Sequence, residues 1–220
     1  MIQFPLCGLY AITAENHANP QSLAKKVNAA LRGGSKVIQY RSKSSHERLE
    51  EANLLLAECH AFNVPLIIND DVELAFAIGA DGVHLGKDDG SIMEARKRLG
   101  AKAIIGVSCY NSVEHAMAAE AQGASYVAFG RFFPSSSKPN APCADQDTLI
   151  KAKIRLQLPI VAIGGVTPEN GRSLIEAGAD LLAVIDAVFG ADDPEQASLA
   201  FKSLFDDKNI VFNKFSYIER

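Results

Sequence analysis

The chain has 220 residues, 48% hydrophobic and 22% charged, long enough to bury a sizeable core and short enough for one domain. Lys and Arg number 22 against 26 Asp and Glu, a net charge of −4 with no basic run. That balance excludes a nucleic-acid backbone or an anionic membrane surface as the expected partner and points to a small molecule. Cys7, Cys59, Cys109 and Cys143 lack C-x-x-C spacing, no stretch of about 18 uncharged apolar residues occurs, and the apolar first residues carry no basic leader; reduced thiols and a cytoplasmic location are expected.

Short apolar runs recur between amphipathic segments, each the length of a strand buried on both faces, which implies a parallel sheet. Strands are expected at 9–13, 36–40, 66–68, 82–85, 104–107, 126–129, 160–163 and 181–185, with helices between them. A weak repeat supports the count: Gly79-Ala80-Asp81, Gly123-Ala124-Ser125 and Gly178-Ala179-Asp180 each close a helix and open a strand, and Gly33-Gly34 is assigned the same capping role. Eight such units predict a single-domain α/β protein, a (β/α)8 TIM barrel over residues 1–207, with an open doubly wound sheet as the alternative. No G-x-G-x-x-G follows the first strand, which favours the barrel. Residues 208–220 form a tail of unassigned role.

In such a barrel the loops after the strands build the active site. After strand two, the period of an extended chain sends Gln39, Arg41 and Lys43 to one side, a set suited to a diphosphate. After strand three, Asn69-Asp70-Asp71 offers a helix cap in Asp71 and leaves Asp70 to be explained. After strand four, Asp88-Asp89 follows His84, a candidate lining group; one of these carboxylates is expected to cap the helix that begins near Ser91. Asp70 and Asp89 facing one another would supply oxygen ligands for Mg²⁺. Ser108 follows strand five. The long loop after strand six carries Ser135, Ser137 and Lys138, a composition able to close over an anion or to serve as an ordinary surface loop. Gly164-Gly165, ahead of Thr167-Pro168, offers either bare amides for a phosphate or a tight turn.

Taken in order, Gln39-Tyr40-Arg41-Ser42-Lys43, Ile68-Asn69-Asp70, the run from Gly79 to Gly86 ending in Asp88-Asp89, Gly106-Val107-Ser108, the loop from Phe129 through Lys138-Pro139, and Ala162-Ile163-Gly164-Gly165 resemble the thiamine-phosphate synthase family from about Gly8 to Pro194. The resemblance implies a Mg²⁺-dependent transferase that joins a hydroxymethylpyrimidine diphosphate to a thiazole phosphate, releasing pyrophosphate. By that resemblance Gln39, Arg41, Lys43, Asn69 and Lys138 hold the diphosphate, and Arg41, Lys43 and Lys138 are catalytic through leaving-group stabilisation. Asp70 and Asp89 bind the metal, and Ser108 contacts the pyrimidine side. Ser135 and Ser137 are the loop hydroxyls, and Gly165 with the Ile185-Asp186 turn cradles the thiazole phosphate. A homo-oligomer is compatible with all of this.

The sequence departs from the family at several positions. Serines replace the usual threonines at 135 and 137, Ser42 and Lys87 replace residues usually acidic or amide, and Asp186 stands where a serine is common beside a phosphate it would repel. Two rivals are a relative that only isomerises a thiazole phosphate and a non-catalytic thiamine- or phosphate-sensing domain. The diphosphate grip argues against the first, and the paired carboxylates argue against the second.

Overall fold

A computed structural model of the chain describes residues 2–14, 17–42, 47–86, 89–134 and 143–206. Its strands are β1 (Gly8–Ile12), β2 (Val37–Tyr40), β3 (Leu66–Asn69), β4 (Gly82–Leu85), β5 (Ile104–Tyr110), β6 (Tyr126–Phe129), β7 (Ile160–Ile163) and β8 (Leu181–Val184). The helices are α1 (Pro20–Arg32), α2 (Arg48–Ala61), α3 (Val72–Ile78), α4 (Ile92–Leu99), α5 (Val113–Ala121), α6 (Gln146–Arg155), α7 (Pro168–Glu176), the short α8 (Asp186–Phe189) and α9 (Pro194–Ser203). The strands pair in parallel in chain order, and β8 returns to β1, closing the barrel. An open doubly wound sheet is thereby excluded. Among the described residues no helix is long and apolar enough to cross a membrane.

Strand alternation divides the buried side chains into two layers. Tyr10, Ile12, Val37, Ile67, Tyr126 and Val161 fill the barrel interior. Leu9, Ala11, Ile38, Tyr40, Ile68 and Val127 face outward against the helices. Gln39 and Arg41 share the parity of Val37, so β2 delivers both to the interior side, at the end where the chain leaves the barrel.

The internal repeat has a structural cause. The Asp81 carboxylate accepts the N–H of Leu66 at 3.0 Å, the Ser125 hydroxyl oxygen that of Ile105 at 3.0 Å, and the Asp180 carboxylate that of Ile160 at 3.0 Å. Each repeat therefore ties the start of the preceding strand, satisfying a backbone donor at the N-terminal end of the barrel. Gly79, Gly123 and Gly178 have φ of 66°, 89° and 118°, as the capping role requires.

Gly33-Gly34 closes α1 as expected, Gly33 as its cap with a right-handed backbone (φ −68°) and Gly34 with the positive angle (φ 94°); Gly33 is also small because a Cβ would collide with the Glu195 carbonyl of α9. Two expectations are corrected. The α4 cap is Ser91, in a reciprocal box with Glu94, and Asp89 is engaged elsewhere. Strand five continues past 107 to Tyr110, its register shifting between Ser108 and Tyr110, because pairing with β6 extends to Phe129.

Candidate active site

The C-terminal ends of the strands surround a cavity of about 650 Å³. Every described residue among the expected site set lines it: Gln39, Arg41, Asn69, Asp70, Asp89, Ser108, Gly165, Ile185 and Asp186. Lys43, Ser135, Ser137 and Lys138 lie outside the described residues, as do Lys87, Asp88 and the tail from 208.

One wall comes from β2, β3 and β4. The Arg41 backbone is clipped to β1, its N–H donating to Thr13 Oγ1 at 2.9 Å while the Thr13 hydroxyl donates to the Arg41 carbonyl at 3.2 Å. Beneath it the outward-facing Tyr40 hydroxyl donates to Glu51, whose other oxygen lies 2.7 Å from His17 Nε2, tying the loop after β1 to α2. Burial and the adjacent Glu51 carboxylate push the Tyr40 phenol well above its ordinary pKa. Asp70 sits at φ 63°, its N–H donating to the His84 carbonyl at 2.9 Å and its carboxylate accepting from Asn69 Nδ2 at 2.5 Å. Asp71 turns away from this pair: it caps α3 through the Leu74 N–H at 2.8 Å and pairs with Arg48 at 2.9 Å. Asp89 Oδ2 accepts the Gly86 N–H at 2.7 Å. Arg41, Asn69, Asp70 and Asp89 also line a second, adjoining cavity of about 500 Å³.

Across the barrel stand β7 and β8, for in a closed ring of eight, β3 faces β7. Gly164 (φ 102°) and Gly165 (φ 63°) turn tightly there. A Cβ on Gly164 would run into Arg131, and one on Gly165 into Pro134, so these glycines let the 131–134 segment pack directly on the turn. The Phe133 N–H donates to the Gly164 carbonyl at 3.0 Å. Pro168 occupies the first turn of α7, as its position predicts, behind a Thr167 cap. Ile185 precedes α8, and Asp186 is exposed at the cavity rim.

The floor is polar, which strand periodicity alone did not foretell. Gln39 Nε2 donates to the Tyr10 hydroxyl at 2.8 Å, Tyr10 and Tyr126 hydroxyls are 2.7 Å apart, and Tyr126 lies 2.9 Å from His84 Nδ1. His84 Nε2 is 2.9 Å from Ser108 Oγ. Burial pushes both Tyr10 and Tyr126 well above the ordinary phenol pKa. Tyr10, Tyr126 and Arg131 line the cavity without having been singled out from the sequence. The available signal was a tyrosine at an interior-facing position of a barrel otherwise filled with aliphatic side chains, since a buried phenol needs a partner.

The model of the thiamine monophosphate synthase family matches residues 9–188. Thiamine-phosphate synthases of Nitrosococcus oceani and Methylococcus capsulatus are 53% and 50% identical to the chain, covering 92% and 93% of it and 94% and 92% of their own lengths. A solved structure of thiamine phosphate pyrophosphorylase from Pyrococcus furiosus has a TM-score of 0.83 and 32% identity, covering 93% of this chain and 97% of that one. The match runs through all eight strands and every described wall of the cavity, and the chain belongs to the thiamine monophosphate synthase family of transferases.

Proposed function

We propose that the enzyme condenses 4-amino-5-hydroxymethyl-2-methylpyrimidine diphosphate with a thiazole phosphate, giving thiamine phosphate and pyrophosphate by dissociative loss of the diphosphate. One observation carries this reading: a cationic and carboxylate wall from β2, β3 and β4 shares a single cavity of about 650 Å³ with the Gly165 and Ile185-Asp186 turns from the opposite side. That volume lies within the range of about 300–1,000 Å³ usual for small-molecule sites.

Asp70 and Asp89 are hard oxygen donors on neighbouring loops and fit Mg²⁺, which takes one or two carboxylates and completes its shell with phosphate and water. Among the described residues no group of three or more His, Cys, Asp or Glu is arranged to hold a metal. When bound, Mg²⁺ supplies positive charge at the diphosphate oxygens.

The protein's own work is binding and alignment. Arg41, with its backbone clipped to Thr13, meets the diphosphate oxygens, assisted by Asn69 and by Lys43 and Lys138. Gln39 commits one amide N–H to Tyr10 and keeps the other for the cavity. As pyrophosphate departs, the ring amino group spreads the charge left on the pyrimidine methylene, and the thiazole nitrogen attacks it. Gly165 and the Ile185-Asp186 turn hold the thiazole phosphate so that this nitrogen faces the methylene. Ser108 contacts the pyrimidine. The chemistry asks for no protein nucleophile.

The test is to incubate purified protein with both phosphorylated precursors and Mg²⁺ and to measure thiamine phosphate and pyrophosphate. Equal amounts of the two, abolished by chelator, are expected. Isomerised thiazole phosphate without coupling, or no product, would overturn the proposal.

A further inference from the structure

Among the ways of placing hydrogens on the five side chains of the cavity floor, one leaves no buried phenol proton without an acceptor. Gln39 Nε2 can only donate, so the Tyr10 oxygen, 2.8 Å away, accepts. The Tyr10 phenol is buried, so its own proton needs an acceptor, which the Tyr126 oxygen supplies at 2.7 Å. Tyr126, equally buried, then gives its proton to His84 Nδ1 at 2.9 Å, which must be bare. A neutral imidazole bare at Nδ1 carries its hydrogen on Nε2, where Ser108 Oγ accepts it at 2.9 Å. Four contacts use four hydrogens, and the Ser108 hydroxyl proton is left over.

We propose that Tyr10, Tyr126 and His84 are positioning residues that form a one-way hydrogen-bond chain from Gln39 to Ser108, fixing the His84 proton on Nε2 and turning the Ser108 hydroxyl proton into the cavity. The orientation of a β2 amide thus sets the donor character of a β5 hydroxyl. None of the three intermediate groups needs to touch the reacting atoms.

The surroundings hold this arrangement still. Tyr10 is 1% exposed, Tyr126 0% and His84 9%. Phe4, from the segment ahead of β1, stacks on the Tyr126 ring at 4.2 Å and 3°, and meets Tyr10 edge-on at 6.4 Å. Gly106 of β5 leaves the space that the Tyr126 phenol fills, since a Cβ there would overlap the ring. Both phenols are held protonated by burial, so each has one proton to give.

A consequence for specificity rests on the pyrimidine reading of the cavity. A Ser108 hydroxyl that must donate favours a ring presenting a bare nitrogen, as an aminopyrimidine does at both ring positions. An oxopyrimidine carries an N–H at one of them and would set donor against donor.

Imidazole ¹⁵N shifts of the full unliganded chain test the chain's direction, with His84 identified among the five histidines by its loss in His84→Gln. A proton on Nε2 and a bare Nδ1 are expected. A proton on Nδ1, or on both nitrogens, at neutral pH would overturn the proposal, since the chain would then run backwards or be broken. Tyr126→Phe, and Tyr10→Phe one step upstream, should release the Nε2 preference and raise KM for the pyrimidine diphosphate about tenfold, with KM for the thiazole phosphate within about twofold. An unchanged tautomer in both variants would reduce these residues to packing and sink the idea. Because the tautomer is read without substrate, it can fail while the synthase reaction stands, or hold while that reaction fails.

Discussion

Asp70 and Asp89 line the same two adjoining cavities, yet each is set by a different backbone device. Asp70 is aimed by a left-handed backbone, φ 63°, and Asp89 by the Gly86 N–H that it accepts at 2.7 Å. An amide at 89 can still accept that hydrogen but carries no charge. Asp89→Asn should therefore leave the melting temperature within about 2 °C while lowering turnover by about tenfold or more and raising the Mg²⁺ needed for half-maximal rate. An unaltered Mg²⁺ titration would remove Asp89 from the metal site.

Arg41→Ala should slow the single-turnover chemical step by about tenfold or more, because the guanidinium contributes chiefly as charge builds on the departing diphosphate. Its backbone clip to Thr13 survives the substitution, so folding is expected to be unaffected. An effect on KM alone would assign Arg41 to ground-state binding instead.

The exposed Asp186 stands at the rim where the thiazole phosphate is proposed to sit. Removing its charge in Asp186→Ser should tighten thiazole-phosphate binding by about tenfold or less, the scale of one partly screened repulsion. Titration calorimetry with the thiazole phosphate checks this, and an unchanged Kd would show that the carboxylate turns away from the anion.

Asp180 accepts the Ile160 N–H at 3.0 Å and the Lys153 ammonium at 2.8 Å, far from the cavity mouth. Asp180→Ala strands a buried backbone donor and should cost about 2–3 kcal/mol in denaturant unfolding. Asp180→Asn retains an acceptor and should cost less. Equal losses in the two variants would mean that the ion pair, rather than the strand-tying hydrogen bond, is what the repeat provides.

Cys59 and Cys109 are buried, and burial raises both thiols, Cys109 to about 12, whereas Cys7 and Cys143 are exposed. The reactive thiolate of Cys109 therefore forms only as pH approaches that value, and at pH 8 it stays protonated. Ellman's reagent on native protein should count two fast thiols, rising to four on denaturation. Fast reaction of a third would show that the barrel opens locally.

Much of the site was legible in the sequence for a plain reason: in a β/α-barrel the ends of successive strands are neighbours, so local order along the chain becomes angular order around a ring. Parity then places Gln39 and Arg41 on one face, and Asp71, one residue from Asp70, is separated from it by ordinary capping chemistry. The glycines were legible in kind but only partly in cause. Gly79 needs its left-handed backbone, Gly33 is small because Glu195, 162 residues further on, packs against it, and Gly165 combines a left-handed backbone with the close approach of Pro134.

By itself, then, the sequence determined the approximate strand positions, the parallel β/α order and which of the described residues stand at strand ends, because two-residue periodicity and strand-end placement are local properties, whereas closure rests on the long-range pairing of β8 with β1. Only the tertiary structure decided which buried polar groups meet. Tyr10 and Tyr126 lie 116 residues apart and join hydroxyls at 2.7 Å because barrel closure brings their strands to one interior, where a phenol without a partner is costly. The polar floor linking Gln39 to Ser108 is a property of that closure, and no local pattern encodes it.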